Sequence, residues 1–329
     1  MKRRQFLHAA LGAGALAGFA ELSPAMASLT WARRSLLGFG TTLSLQAGHE
    51  DARTLERALD AAVHTLRRIE SQMSLFDPAS ALSRLNREGE LVSPPSELAE
   101  VLDIAHNVSR DHDGAFDVTV QPLWLAFAAA QREGRLPDRR EVRDARAKVD
   151  WRAVQVSAQR ISLDRPGMAV TLNGIAQGYA ADRVRAVLAS YGVGHALVDA
   201  GEFAPLSTNS LGRPWTLGIA DPHAERALLA RLMTDGRCVA TSADNLTTFS
   251  EDHRHHHIFD PHTGYSPTEL SAVTVVADSG ALADALTKAF FVAGPSQARA
   301  LAHRWKVDAL WVDKAGRWEA TPGLRIEKA

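Results

Sequence analysis

Between Ala52 and Met73 the apolar residues Leu55, Leu59, Ala62, Leu66, Ile69 and Met73 step by three and four, which predicts one amphipathic helix. Before it, LLGFGTTLSLQA alternates well enough for a first strand. MSLFDPASALSRLN follows as a loop and a short helix, with Asp77-Pro78 marking the turn. Ser93-Pro94-Pro95-Ser96 breaks the chain, and Ser96 is placed to cap a helix carrying Leu98, Val101, Leu102, Ala105 and Val108. GAFDVTVQPLW reads as a loop and short extended piece, and the polar stretch 131–149 as exposed helix or loop. Residues 154–163 and 168–172 read as a hairpin turning at Arg165-Pro166-Gly167. NGIAQGYAADRVRAVLASYG is a helix approached through glycine and ended by Gly192. Strands are expected at 195–199, 215–220, 228–233, 238–241 and 272–277, then a helix over 279–292 and another near the end. Short strands among several helices, without a βαβ rhythm, give an α+β fold class.

Composition adds limits. The chain is 46% hydrophobic, enough for a large core, and its net charge of -1 leaves no basic footprint for nucleic acid. No stretch in the body of the chain is long and apolar enough to be a transmembrane helix. The single cysteine, Cys238, has no internal disulfide partner and sits in an apolar run, so it reads as a buried structural thiol. Residues 1–27 are a separate segment: a basic start, a short Ala/Gly/Leu stretch, and Ala25-Met26-Ala27 as a small-residue cleavage site. Arg3-Arg4 before Phe6-Leu7 resembles a twin-arginine signal peptide, which implies export to the periplasm. Residues 28–329 are then one domain.

Six stretches carry residues unusual for a plain core. NGIAQGYAAD, with Gly174 and Gly178, places free backbone N–H groups at a helix start, where an anion is favoured, although such glycines also serve packing. GAFD offers open backbone beside an aromatic ring, suited to a flat ligand or to a simple turn. DAGEF is a strand end that a ligand could approach, and TSADN a small polar cluster after a strand. SGALADALTKAFF carries Asp284, able to coordinate a cation or to pair with Lys288 four residues on. The sixth, HHHIFDPHTGYSP, looks at first like a metal site. Adjacent histidines in an extended segment alternate faces, so at most two share a side. One inward histidine presented before a rigid Asp-Pro…Thr-Gly turn is the better reading, its neighbours lying at the surface.

Taken in order, FGTT, MSLFDPASALSRLN, GAFDVTVQPL, TLNGIAQGYAADRV, ALVDAGE, WTLGIADP, ATSADN, HHHIFDPHTG and VTVVADSGALADAL make the chain resemble the FAD:protein FMN transferases, the ApbE-like flavin transferases. The resemblance implies a single-domain α+β ApbE-like fold with mixed and antiparallel sheets flanked by helices. It implies an enzyme that uses FAD and Mg2+ to place FMN on a threonine hydroxyl of a target protein through a phosphoester bond, releasing AMP. The implied acceptor is a periplasmic or membrane-associated electron-transfer protein. Alternative readings are an exported FAD-binding protein that delivers flavin without transfer, or a magnesium-dependent FAD pyrophosphatase.

By the same resemblance, Phe39, Phe76, Ala115, Phe116, Asp117, Thr171, Gln177 and Ile258 fall at FAD-binding positions. Gly174 (through its carbonyl), Asp284 and Thr287 fall at the metal, and His257 at the acceptor hydroxyl. Departures from the family pattern are Phe39 for methionine, Thr171 for aspartate, Gln177 for lysine or glutamate, and a missing second glycine in DAGEF. The largest is Lys288, where the family places a metal-binding threonine. Two outcomes are open for Lys288: it swings outward and leaves the metal to Asp284, the Gly174 carbonyl and the pyrophosphate, with help from Thr287, or its ammonium partly replaces the metal, pairing with Asp284 and a phosphate oxygen; the first is the expectation.

Overall fold

The computed structural model describes residues 29–329. The expected export leader, residues 1–27, and its expected cleavage site lie outside the described residues. Strands β1 (Thr30–Gly38) and β2 (Thr41–His49) form a hairpin, so the expected single first strand is two, folded back at Phe39-Gly40. Phe39 itself has φ 49, and Gly40 follows at φ 76, which lets the chain reverse in two residues. Helix α1 (Ala52–Met73) has the predicted bounds and is capped by the Asp51 side chain. Then come α2 (Ala81–Glu88), β3 (Glu90–Val92) and α3 (Ser96–Asp111). Ser96 is the first helical residue rather than the cap; Pro95 holds that place without a side-chain bond.

The stretch expected to be extended after GAFD is helical. Asp117 caps a 3-10 turn at Val118–Val120, and α4 (Gln121–Arg132) follows with proline in its first turn. Helix α5 (Arg139–Arg146) starts from a capping box of Asp138 and Glu141. The predicted hairpin also changes. β4 (Val154–Val156) and β5 (Arg160–Leu163) pair with each other, turning at 157–159. The Arg165–Gly167 turn exists, but the segment after it joins no sheet: Val170 exchanges hydrogen bonds with the Asn86 side chain, and Thr171 N–H donates to the Val118 carbonyl.

The remaining elements are α6 (Ala176–Ser190), β6 (His195–Asp199), β7 (Phe203–Leu206), β8 (Thr216–Ala220), β9 (Leu228–Met233), β10 (Cys238–Ala243), β11 (Leu270–Ala277), α7 (Gly280–Ala293), α8 (Pro295–Trp305), β12 (Asp308–Asp313), β13 (Trp318–Ala320) and β14 (Arg325–Lys328). The main sheet runs β1-β2-β6-β7-β10-β11-β12-β13, antiparallel at every pair; β14-β9-β8 and β3-β5-β4 are smaller sheets.

Both faces of the main sheet are covered. In β11 all eight residues are buried, and alternate ones serve different cores. Val273, Val275 and Ala277 face the helices α1, α6 and α7, whereas Ala272 and Val276 join Leu217, Ile219, Ala230 and Leu232 of the small sheet. A third, aromatic cluster of Phe127, Phe249 and Phe259 anchors α4 and the histidine loop. No helix among the described residues is long and apolar enough to cross a membrane. The sheet and helices together bring α6, α7, the end of β10 and the histidine loop to one corner.

Candidate active site

The corner is built on a very close helix crossing. A Cβ on Gly178 would lie 2.1 Å from the Gly280 carbonyl oxygen, so only glycine lets α6 and α7 approach this far. The start of α7 is fixed from outside the helix as well. Ser279 caps it, and the Asp182 carboxylate accepts from the N–H groups of Gly280 (2.7 Å) and Ala281 (3.0 Å). One turn in, Asp284 is only 1 % exposed, and the Gly178 N–H donates to its Oδ2 at 3.2 Å.

Lys288 does not swing outward. Its ammonium pairs with the Asp284 carboxylate and lies 3.1 Å from the Asp284 carbonyl. The reason is the burial of that carboxylate: a lysine in solvent would leave a desolvated negative charge without a partner. The lysine stem crosses Gly174, where a Cβ would meet its Cε at 3.2 Å and the Phe116 ring at 3.3 Å. Thr287 is committed elsewhere. Its hydroxyl donates to the Asp284 carbonyl at 2.7 Å and meets Ser242 Oγ at 2.7 Å, tying α7 to β10.

Two acids that sequence reasoning missed complete the corner. Glu202 and Asp199 belong to DAGEF, which drew notice for its glycine rather than for its charges. Both are buried. Burial, then repulsion from Asp284, hold the Glu202 carboxyl well above the usual carboxylate range, and Lys288 opposes this. Burial pushes Asp199 up to about 6. An acid at the end of an apolar strand was the available signal.

This arrangement decides how a divalent metal would fit. Oxygen donors of the right hardness are present. However, one Asp284 oxygen faces an ammonium, the other a backbone N–H, and Thr287 is engaged with β10. Among the described residues, no three His, Cys, Asp or Glu side chains are grouped to hold a metal ion. With Lys288 on Asp284, the residues do not fit a magnesium ion.

The expected flavin positions fall into two neighbourhoods. Phe116, Asp117, Thr171, Gly174 and Gln177 converge beside the corner. Asp117 braces the loop by accepting from Thr119 N–H (2.7 Å), Thr119 Oγ1 (2.6 Å) and Trp151 N–H (3.0 Å); burial still pushes its carboxyl up to about 6. Ala115 is half-buried in the same loop, its N–H donating to the His112 carbonyl. Gln177 lies against Gly201, which has φ +98 and no room for a Cβ: the Gln177 Nε2 would be 2.2 Å away. Phe39 and Phe76 sit instead near the C-terminal end of α1. Phe39 N–H donates to Glu70 Oε1 at 2.7 Å, and Phe76 is 60% exposed on the loop before α2.

The three adjacent histidines take three different environments. His255 packs in the aromatic layer beside Phe127 and Tyr265. His256 is fully buried, correcting the expectation that both neighbours lie at the surface; its ring meets the Pro267 carbonyl at 3.1 Å, and its N–H donates to Ser266 Oγ. His257 is half-buried, with Nδ1 3.3 Å from the Thr247 carbonyl. A donating Nδ1–H leaves the lone pair on Nε2. Packed atoms first, then His256 and Lys288, push the imidazole down to about 4, so it is neutral near pH 7. Ile258, next in sequence, is buried in the main core. Beside the loop, Asp244 of TSADN pairs with Lys314.

The ApbE family pattern matches residues 39–311. A FAD:protein FMN transferase of Vibrio cholerae is 30% identical over 288 residues, 84% of this chain and 85% of that protein. One from Klebsiella pneumoniae is 32% identical over 256 residues, 76% and 77% of the two chains. Among solved structures, the ApbE protein of Thermotoga maritima superposes with a TM-score of 0.78 at 27% identity, covering 89% of this chain and 97% of its own. The Pseudomonas stutzeri flavinyl transferase ApbE gives 0.75, also at 27%, covering 89% and 94%. With most of its length matched in both sequence and fold, the chain belongs to the ApbE family.

Proposed function

We propose that this protein is a transferase that moves the FMN half of FAD onto a threonine hydroxyl of an acceptor protein. The observation that carries the reading is the meeting of His257, Lys288 and the Gly174–Gly178 backbone at one corner. A neutral imidazole, a positive charge and a helix start are the parts that displacement at a pyrophosphate needs.

In this reading His257 Nε2 accepts the proton from the threonine Oγ–H as Oγ bonds to the FMN phosphorus. The bond from that phosphorus to the bridging oxygen breaks, and AMP leaves with the oxygen and the electron pair. The start of α6 faces the pyrophosphate, where Gln177 N–H and the helix dipole favour the negative charge. Phe116, with the loop braced by Asp117, borders the flavin. Magnesium would supply further charge neutralisation at the pyrophosphate, but the residues around Asp284 do not fit it, and no step is drawn through it.

The acceptor in this proposal is a periplasmic or membrane-associated electron-transfer protein, met after twin-arginine export. Replacing Arg3 and Arg4 by lysine should strand the precursor in the cytoplasm; undiminished export of that variant overturns the route. The transfer reading is tested by incubating the protein with FAD and a threonine-bearing candidate acceptor, then weighing the acceptor by mass spectrometry. Mass corresponding to FMN on threonine, with one AMP released per addition, supports the proposal. FMN and AMP released without any acceptor adduct would make water the nucleophile. FAD bound but left intact across acceptors would make the protein a carrier.

A further inference from the structure

Lys288 is paired with one of three buried acids at this corner, Asp284, Glu202 and Asp199. Its charge has two directions of influence. At one end it neutralises Asp284 through the ion pair. Along its length it lies against Gly174, directly before the helix start that would receive an anion. The N-cap residue Ile175 makes no side-chain bond; of the first three N–H groups, Ala176 donates to the Leu172 carbonyl and Gly178 to the Asp284 carboxylate, which leaves Gln177 N–H to meet an anion. A bound divalent ion would have to displace the ammonium from Asp284 and then remain beside it, against charge repulsion.

We infer that Lys288 is the tethered cation of this site, holding the pyrophosphate of FAD in place of a divalent metal. The inference rests on the flavin-transfer reading for its substrate. It needs one movement only: the ammonium keeps Asp284 on one side and gains a phosphate oxygen on the other, which three N–H donors allow. The remaining phosphate charge falls to Gln177 N–H and the dipole of α6. The lysine thereby acts on substrate directly, and FAD binding becomes independent of magnesium.

The test is FAD binding by quenching of flavin fluorescence, measured with full-length protein in excess chelator and across a magnesium series. Transfer to the acceptor is followed in parallel. In chelator the unsubstituted protein should keep its magnesium-saturated affinity within about tenfold, one decade in Kd. Lys288→Met should lose roughly 100-fold in chelator, the scale of one lost charged contact at a preorganised site. Lys288→Arg should retain metal-free binding. Lys288→Thr should bind FAD well only when magnesium is added. Because Lys288→Met leaves Asp284 buried and unpaired, Asp284→Asn/Lys288→Met provides a variant without that charge, and thermal melts identify any that fail to fold.

A loss of more than about tenfold for the unsubstituted protein in chelator overturns the inference. So does Lys288→Met binding FAD as before without metal. The two readings fail separately. Metal-free, Lys288-dependent FAD binding with no adduct on any acceptor would remove the transferase reading alone. Adduct formation that requires magnesium, with Lys288→Met equal to the unsubstituted protein, would remove the tethered cation alone.

Discussion

Two lysine–aspartate pairs flank His257, and they differ in almost everything but composition. Asp284 and Lys288 are four residues apart on one helix, with side chains 1% and 18% exposed. Asp244 and Lys314 are 70 residues apart, with side chains 4% and 30% exposed. The first pair is set beside Gly174 among further buried acids, with Glu202 held well above the usual carboxylate range. The second joins the end of β10 to the turn after β12, and its lysine also reaches toward the His253 carbonyl at 3.4 Å. The same ion pair thus serves substrate in one place and holds two loops in the other. Context makes the difference: further buried acids and the Gly174 backbone lie around Asp284, two loop ends around Asp244.

His257 stands between them, and removing it gives the largest expected effect. His257→Ala should lower transfer by roughly 100-fold, the scale of a lost general base. FAD affinity should change far less, as read by flavin fluorescence. The acid limb of the rate profile should lie near pH 4, where the imidazole takes its proton, rather than near 6.5. Comparable losses in affinity and rate would make His257 part of the binding surface and blur the distinction between the two pairs.

The neighbouring ring sharpens the structural side. His256→Ala should destabilise the fold by about 2–3 kcal/mol, since it empties a buried site and removes the partner of the Pro267 carbonyl. Urea unfolding measures this. Burial pushes His256 down to about 4 from 6.5, so between those values only the unfolded chain binds its proton. That contribution is fully present above pH 6.5 and is lost as pH falls toward 4. Asp117 and Asp199, pushed up to about 6, act in the opposite sense over the lower part of this range. The histidine contribution is therefore read as a difference: the stability gap between the unsubstituted protein and His256→Gln should narrow as pH falls from 6.5 to about 4.

Lys314→Met should lower stability by about 1–2 kcal/mol, below the usual loss for a broken buried pair because this lysine is partly solvated. Metal-free FAD affinity should be unchanged. A drop in affinity like that expected for Lys288→Met would make the two pairs equivalent. Smallest of all, His255→Ala removes one ring from the edge of the aromatic layer and should cost about 0.5–1 kcal/mol, with transfer nearly unaltered.

The contrast between the pairs also marks what could be read from sequence. A residue four positions after an aspartate on a periodic apolar helix must share its face, so the Asp284–Lys288 contact was visible. Its direction was not, because the burial of Asp284 depends on Gly178 and Gly280, which come from different helices. The Asp244–Lys314 pair depends on antiparallel β10, β11 and β12, and no local pattern encodes it. Likewise, α1, β6 and β9 had the predicted bounds because their periodicity is local. Val118-Thr119-Val120 looked extended by its β-branched residues, yet Asp117 caps it into a tight turn, and Pro122 in the first turn of α4 was the overlooked signal. Family resemblance picked out the stretches that meet at this corner, but the environments of the three histidines required the tertiary structure.

The bond from Gly178 N–H to the Asp284 carboxylate has a spectroscopic consequence. Most helical amides are protected by a carbonyl of their own helix and exchange with solvent deuterium when that turn frays. This amide is held by a side chain of another helix, at a crossing with no space for water between the glycines. Its exchange requires α6 and α7 to separate, an opening that approaches unfolding of the domain in free energy. A single nitrogen-15 resonance at Gly178 would therefore report when the corner opens, and its chemical shift would register substitution of Asp284.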